Sequence, residues 1–194
     1  MTTTTTAQVL SDLPQRSVAE PMDAGILEQL QQHLHLETQA SYHYWELSGR
    51  FASRELRGFA SFLQNESDSE REHAGRFIDY LNDRGASFRL GSQTPFQGDA
   101  SSVVAVFEAV FGMERDVTSS LQQIHRLAEE AGDTRTAVFL EPLIEDQITS
   151  EGNAAHLLGR LRIAAGNPAA LLLIDQELGE GHDAPHRLAG DSDS

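Results

Sequence analysis

Five side chains able to bind a metal stand where apolar residues belong: Glu37, Glu70, His73, Glu114 and Gln147. They interrupt four stripes of leucine, valine and aromatic residues that repeat every three or four positions, the period of a helix face turned to a core. A buried charge is costly unless it is paired or bound to a cation. Singly, each has a bland explanation: a boundary acid bending out to solvent, or a surface Glu/His pair. Four stripes that all turn such groups inward describe instead a metal site in a bundle core. For two metals bridged by carboxylates the usual metal is iron.

Glu70 and His73 are three residues apart, so one helix presents both from the same face. Leu63, Phe77 and Tyr80 share that stripe, which argues against a surface pair. Glu37 and Glu114 supply the further carboxylates that two cations need. Tyr44 lies two turns after Glu37 and reads either as a packed phenol or as a hydrogen-bond or one-electron donor beside the site. A symmetric di-metal bundle would carry a second Glu-x-x-His on the remaining helix. Gln147 and Ser150 occupy those slots, so one metal has fewer and weaker ligands than the other. Such a site suits turnover and onward transfer. Glu151, one turn beyond Gln147, is a candidate outer ligand. Glu66, one turn before Glu70, is a candidate transit ligand, or else a solvent-facing acid at the edge of the core. His33 and His35 read as surface or packing residues, and His182 and His186 fall in a polar tail.

These groups need four long helices. The stripes predict them from about Asp23 to Ala52, Glu55 to Arg84, Ala100 to Ala131 and Thr134 to Ala165, each about 45 Å long at 1.5 Å per residue. Asp23 and Asp133 are the expected N-caps, and Gly85 and Gly132 the expected stops. Pro142 lies inside the fourth helix, where a kink or local irregularity is expected. The stretch from Gly85 to Asp99 holds Gly91, Ser92, Pro95 and Gly98 and lacks a helical period. It is long enough to connect two parallel helices. A short fifth helix from Ala169 to about Leu178 has an apolar face that needs a partner, and a second copy of the chain is the natural one. Residues 1–22 read as a flexible arm, 23–180 as the folded domain and 181–194 as a disordered tail.

The chain has 194 residues, enough for one domain, and a formal net charge of −16. That acidity repels nucleic acid and anionic membranes and attracts cations. With no cysteine, disulfides, thiolate catalysis and thiolate metal sites are excluded, leaving oxygen and imidazole ligands. No secretory leader is visible, and the apolar run from Ala169 to Ile174 is too short to span a bilayer, so a cytoplasmic protein is expected. There is no phosphate loop, serine-nucleophile elbow or basic aromatic patch.

Jointly these residues resemble the non-haem ferritins from about Asp23 to Leu178. Glu70-Arg71-Glu72-His73-Ala74 matches the second-helix motif of that family, Glu37 with Tyr44 the first-helix pattern, and Glu114 and Gln147 the third- and fourth-helix positions. The acidic, cysteine-free chain with its Glu141-Pro142 junction is most similar to prokaryotic members, the cyanobacterial ones among them. The resemblance implies an all-α, ferritin-like four-helix bundle with a crossover between helices 2 and 3 and a short fifth helix. It also implies a cage of 24 identical subunits that oxidises Fe(II) with dioxygen or peroxide and stores Fe(III) as an oxyhydroxide mineral.

By motif match, Glu37, Glu70 and His73 would hold the first iron. Glu70 and Glu114 would hold the second, Gln147 would stand beside it, and Tyr44 would be a neighbouring electron donor. Glu141 matches the acidic lining of the family's threefold pores, from which Glu66 would pass ferrous ions inward. Many bacterial relatives carry an acid where Ser150 stands, so a third iron site is absent or built differently, with Glu151 or Glu66. Of the human-type mineral-nucleating acids only Glu72 remains, beside Ser69 and Gly75.

The rival with the same bundle, a rubrerythrin-like non-storage di-iron oxidase or peroxidase, would want the second Glu-x-x-His and often a cysteine module. A DNA-protecting mini-ferritin would want a shorter chain and often a basic tail. A haem-binding bacterioferritin would need a methionine mid-way along the first two helices. The methionines are Met1, Met22 and Met113, so haem is not expected.

Overall fold

The computed structural model describes residue 17 and residues 20–181; nearly all of the expected N-terminal arm and C-terminal tail, with His182 and His186, lies outside the described residues. Five helices follow one another: α1 Ala24–Ala52, α2 Arg57–Asp83, α3 Val103–Ala131, α4 Thr134–Ala164 and α5 Pro168–Gly179. The first four are longer than ordinary globular helices and carry continuous apolar faces, so they are stable only against one another.

Their ends follow from local chemistry. Asp23 accepts hydrogen bonds from the free amides of Gly25 and Ile26, Ser102 from Ala105, Asp133 from Thr136, and Asn167 from Ala169 and Ala170. Gly132 takes the left-handed conformation, φ 69°, that reverses the chain between α3 and α4. α2 begins two residues later than its stripe predicts because Glu55 is drawn into a left-handed turn, φ 62°, that closes the α1–α2 connection. α4 passes through Pro142 as one helix. The ring removes only the bond to Val138 one turn back, and Leu140 and Leu143 are packed on either side.

α1 and α2 form one antiparallel hairpin and α3 and α4 the other. Hydroxyl clamps set the register of the first: Ser41 donates to the Ser67 carbonyl at 2.7 Å, Ser67 returns a bond to the Ser41 carbonyl at 2.8 Å, and Ser48 donates to the Ala60 carbonyl at 2.9 Å. The non-helical crossover runs along α1. Gln31 binds Arg89, Gln39 binds Thr94, and Glu46 accepts from the Phe96 amide. These partners rise together in number, so the crossover returns to the far end of the bundle and α3 runs parallel to α2, as the length of the segment implies.

Two apolar clusters fill the bundle. One is built on Phe51, Phe59, Phe107 and Leu161, and the other on Leu30, Phe77, Leu121 and Leu140. Between them lies a polar layer holding Glu37, Glu70, Glu114 and Gln147, each at most 3% exposed. At the end of α2, buried Arg84 donates to both Asp133 oxygens, at 3.0 and 2.9 Å, and to Thr136, pinning α2 to the α3–α4 turn.

α5 packs on the start of α2. The Phe59 amide donates to Asp175 Oδ1 at 2.9 Å. A Cβ on Gly58 would lie 1.6 Å from the Asp175 carbonyl oxygen, so only glycine admits this approach. Gly58→Ala should therefore loosen α5 by about 1–3 kcal/mol while sparing the bundle. Amide exchange over residues 168–179 should quicken by roughly fivefold or more, with α1–α4 protection retained. Unaltered exchange in that segment would mean that the contact carries no strain.

Candidate metal centre

The polar layer brings one ligand atom each from Glu37, Glu70 and His73 within 4.8 Å of one another. α1 supplies the first and α2 the other two. The Ser41–Ser67 clamp lies one turn after Glu37 and one turn before Glu70, and so holds the two carboxylates face to face. His73 Nδ1 lies 3.0 Å from Glu70 Oε2 and 3.9 Å from Glu37 Oε2. Glu37 Oε2 is buried and no donor reaches it.

The opposite wall comes from α3 and α4. Tyr44, fully buried on α1, donates a short hydrogen bond to Glu114 Oε1. Gln147 Nε2 donates to Glu114 Oε2 at 2.8 Å and to its carbonyl at 3.2 Å. Both Glu114 oxygens are thus oriented by neutral donors, and each keeps a lone pair free toward the interior. Gln147 serves here as a donor that aims Glu114.

Electrostatics sharpen the picture. Burial raises the pKa of Glu37, of Glu70 to about 8 and of Glu114 to about 7, the last pushed further by the charge of Glu70. Glu66, half-buried one turn before Glu70, is raised to about 8 by burial and then by Glu114 and Glu70. It belongs electrostatically to the cluster and not to solvent. Burial opposes charge on His73, but its hydrogen bond to Glu70 and the charges of Glu70 and Glu37 prevail and raise it. Burial, then the charge of Glu114, holds Tyr44 well above the usual phenol value, so it remains a donor. Three buried acids at one depth, with half-buried Glu66 beside them and one orphaned oxygen, form a candidate cation site, at which a bound cation would release their protons.

The remaining candidates lie farther out. Thr118 Oγ1 lies 2.8 Å from Glu151 Oε2 and 3.0 Å from the Glu114 carbonyl, which share its one hydroxyl hydrogen, so Glu151 flanks the Glu114 wall. Glu141 is exposed near the start of α4 and stands apart from the cluster, and His35 is exposed on α1.

Sequence reasoning passed over His33. It is fully buried, its Nε2 lies 2.7 Å from Glu37 Oε1, and its Nδ1 lies 2.9 Å from Ser120 Oγ. Burial lowers its pKa to about 3, which keeps it neutral. The available signal was its place one turn before Glu37 on the same face.

The family described as Ferritin, ferritin-like domain, matches residues 27–164. The chain belongs to the ferritin family. The bacterial non-heme ferritin of Staphylococcus aureus is 25% identical over 158 residues, covering 81% of this chain and 95% of that one. A chloroplastic ferritin-2 of Zea mays is 30% identical over 181 residues, covering 85% of this chain and 69% of that one. Among solved structures, an open-pore ferritin from the hyperthermophilic archaeon Archaeoglobus fulgidus superposes with a TM-score of 0.78 at 26% identity, covering 82% of this chain and 98% of that one. The four-helix bundle with crossover and fifth helix is therefore the ferritin fold, and the relatives include prokaryotic non-haem ferritins.

The raised carboxylates set the pH dependence of the iron-free ferritin. Unfolded, Glu70 and Glu66 lose their protons near pH 4.5; folded, they keep them to about pH 8. Between those values the folded chain binds more protons than the unfolded one, so stability falls as pH rises. His73, raised above 6.5, acts in the same direction. His33, lowered from 6.5 to about 3, acts in the opposite one, but only below pH 6.5. From pH 6.5 to 8 the iron-free protein should lose a few degrees of Tm, and Glu70→Gln, which has no proton to lose, should flatten that slope. Calorimetry across the window checks this, and a slope that Glu70→Gln leaves untouched would contradict it.

Proposed function

We propose that this ferritin is an iron-storage subunit that oxidises Fe(II) at an intrasubunit dinuclear centre and deposits Fe(III) as an oxyhydroxide mineral inside a cage. The observation that carries the reading is the convergence of Glu37, Glu70 and His73 within 4.8 Å around a buried, donor-less carboxylate oxygen. Iron is the substrate. Glu37, Glu70 and His73 take the first ferrous ion; Glu70 bridges to a second ion that Glu114 also binds.

Binding displaces the protons that burial had fixed on these acids, and the carboxylates then favour the more highly charged ferric state. Each ferrous ion gives one electron. The two electrons, with two protons, convert dioxygen to hydrogen peroxide or peroxide to water. Tyr44 keeps Glu114 oriented and stands ready as a one-electron donor. With Gln147 and Ser150 in place of a second Glu-x-x-His, the second ion is held by fewer ligands, and the ferric product leaves on that side. Glu66, one turn from Glu70 and sharing its field, passes ions to the centre. Glu141, exposed early in α4, lines the entry pore of the assembly, and Glu151 offers an outer ligand.

The domain over residues 23–180 acts as one subunit of a 24-mer. Trp45, Ile148, Ile163, Leu172 and Leu173 are each more than half exposed, as expected of faces that meet further copies. Among the described residues no helix is long and apolar enough to cross a membrane, and we place the cage in the cytoplasm.

Glu70→Ala should slow stopped-flow oxidation of Fe(II) by more than about 100-fold, since loss of even a supporting partner to a ligand costs about 10- to 100-fold. The variant should keep the mass of an assembly of about 24 chains. Rapid oxidation in the variant, or a particle of 21.3 kDa for the unmodified protein, would overturn the reading.

A further inference from the structure

We infer that His33 is a positioning residue for Glu37: it caps Oε1 by a hydrogen bond and leaves Oε2 as the one oxygen that Glu37 presents to iron. The inference rests on Glu37 being an iron ligand, as proposed above.

With Glu37 ionised, as iron binding requires, one hydrogen-bond arrangement remains. A neutral imidazole has one donor and one acceptor, and an ionised carboxylate only accepts. With Glu37 ionised, His33 Nε2, 2.7 Å from Glu37 Oε1, therefore carries the hydrogen. His33 Nδ1, 2.9 Å from Ser120 Oγ, must then accept, and Ser120 donates. The ring is further held by Phe77, whose centroid lies 4.5 Å away at 42°.

The two oxygens of Glu37 thus differ in kind. Oε1 is committed to α1 itself and, through His33, to α3. Oε2 faces His73 Nδ1 at 3.9 Å with no donor of its own. Single-oxygen ligation by Glu37 leaves one more position of the first ion open for the oxidant, whereas a two-oxygen grip would make Oε1 share its electron density between the ion and the His33 N–H. Ser120 sits at the inner edge of a surface groove between α1, the crossover and α3, lined also by Gln32, His35, Asp116 and Gln123. The second nitrogen of a fully buried ring is therefore held by a partly exposed side chain, which can be altered without touching the core.

Cobalt(II) titrated into the full-length assembled protein tests this, with the visible d–d band reporting coordination and the titration reporting affinity. His33→Leu should weaken binding of the first ion by about tenfold or more and change the band intensity, because Oε1 is freed. His33→Gln, whose amide can donate from the same turn, should return affinity to within about threefold of the unmodified protein and restore the band. Ser120→Ala should shift both in the direction of His33→Leu, by less, and decides the matter should His33→Leu fail to assemble. An unchanged band and affinity in all variants that assemble would overturn the inference, as would equal losses in His33→Leu and His33→Gln, which would mark a packing role. Failure of the unmodified protein to bind cobalt(II) would instead defeat the proposed function.

Discussion

Several carboxylates held at one depth inside a helical bundle constrain everything else in this molecule. Glu37, Glu70 and Glu114 are buried, and each is pushed toward the protonated form by that burial. A core of leucine and phenylalanine at the same positions would be more stable. The helices therefore have to supply stability elsewhere, and they do so on both sides of the polar layer, through the two apolar clusters. The cost is confined to a slab one or two turns thick. Protonation relieves part of that cost, and under the proposed function a bound cation would take the place of those protons.

The layer is organised as two walls of different character. The α1–α2 wall holds Glu37, Glu70 and His73 close together and leaves an oxygen without a donor. The α3–α4 wall holds Glu114 alone, each oxygen steered by an uncharged donor, Tyr44 or Gln147. A cation entering the first wall meets several ligands at once. Under the proposed function, one bound against the second would share Glu70 and meet fewer. This inequality suits a centre that must give up its product. Glu66 shares the field of Glu114 and Glu70, and Glu151 extends acidity outward from the Glu114 wall.

Much of this was legible in the sequence for a definite reason. Stripe positions report burial, so Glu37, Glu70, Glu114 and Gln147 declared themselves by breaking an apolar period of three and four. Asp23, Asp133 and Gly132 declared the helix ends by residue type alone. What escaped were contacts that periodicity does not encode. His33 was passed over because a histidine on a helix has many ordinary explanations, and its partner Ser120 is 87 residues away. Glu66 was readable as solvent-facing because what raises its pKa, burial first and then Glu114 on another helix and Glu70, is set by packing between helices. The seat of α5 depends on a missing side chain at Gly58 opposite a carbonyl at Asp175, and an absence at one position has no period. Pro142 was legible as lying inside the fourth helix, and α4 does continue through it with the loss of one bond.

The central claim is that the buried acids of one chain converge on iron. Anomalous diffraction from crystals soaked in ferrous salt tests it most directly. Two peaks within one subunit are expected, a stronger one among Glu37, Glu70 and His73 and a weaker one between Glu70 and Glu114. Iron found only at exposed acids, with those four side chains turned from one another, would contradict it.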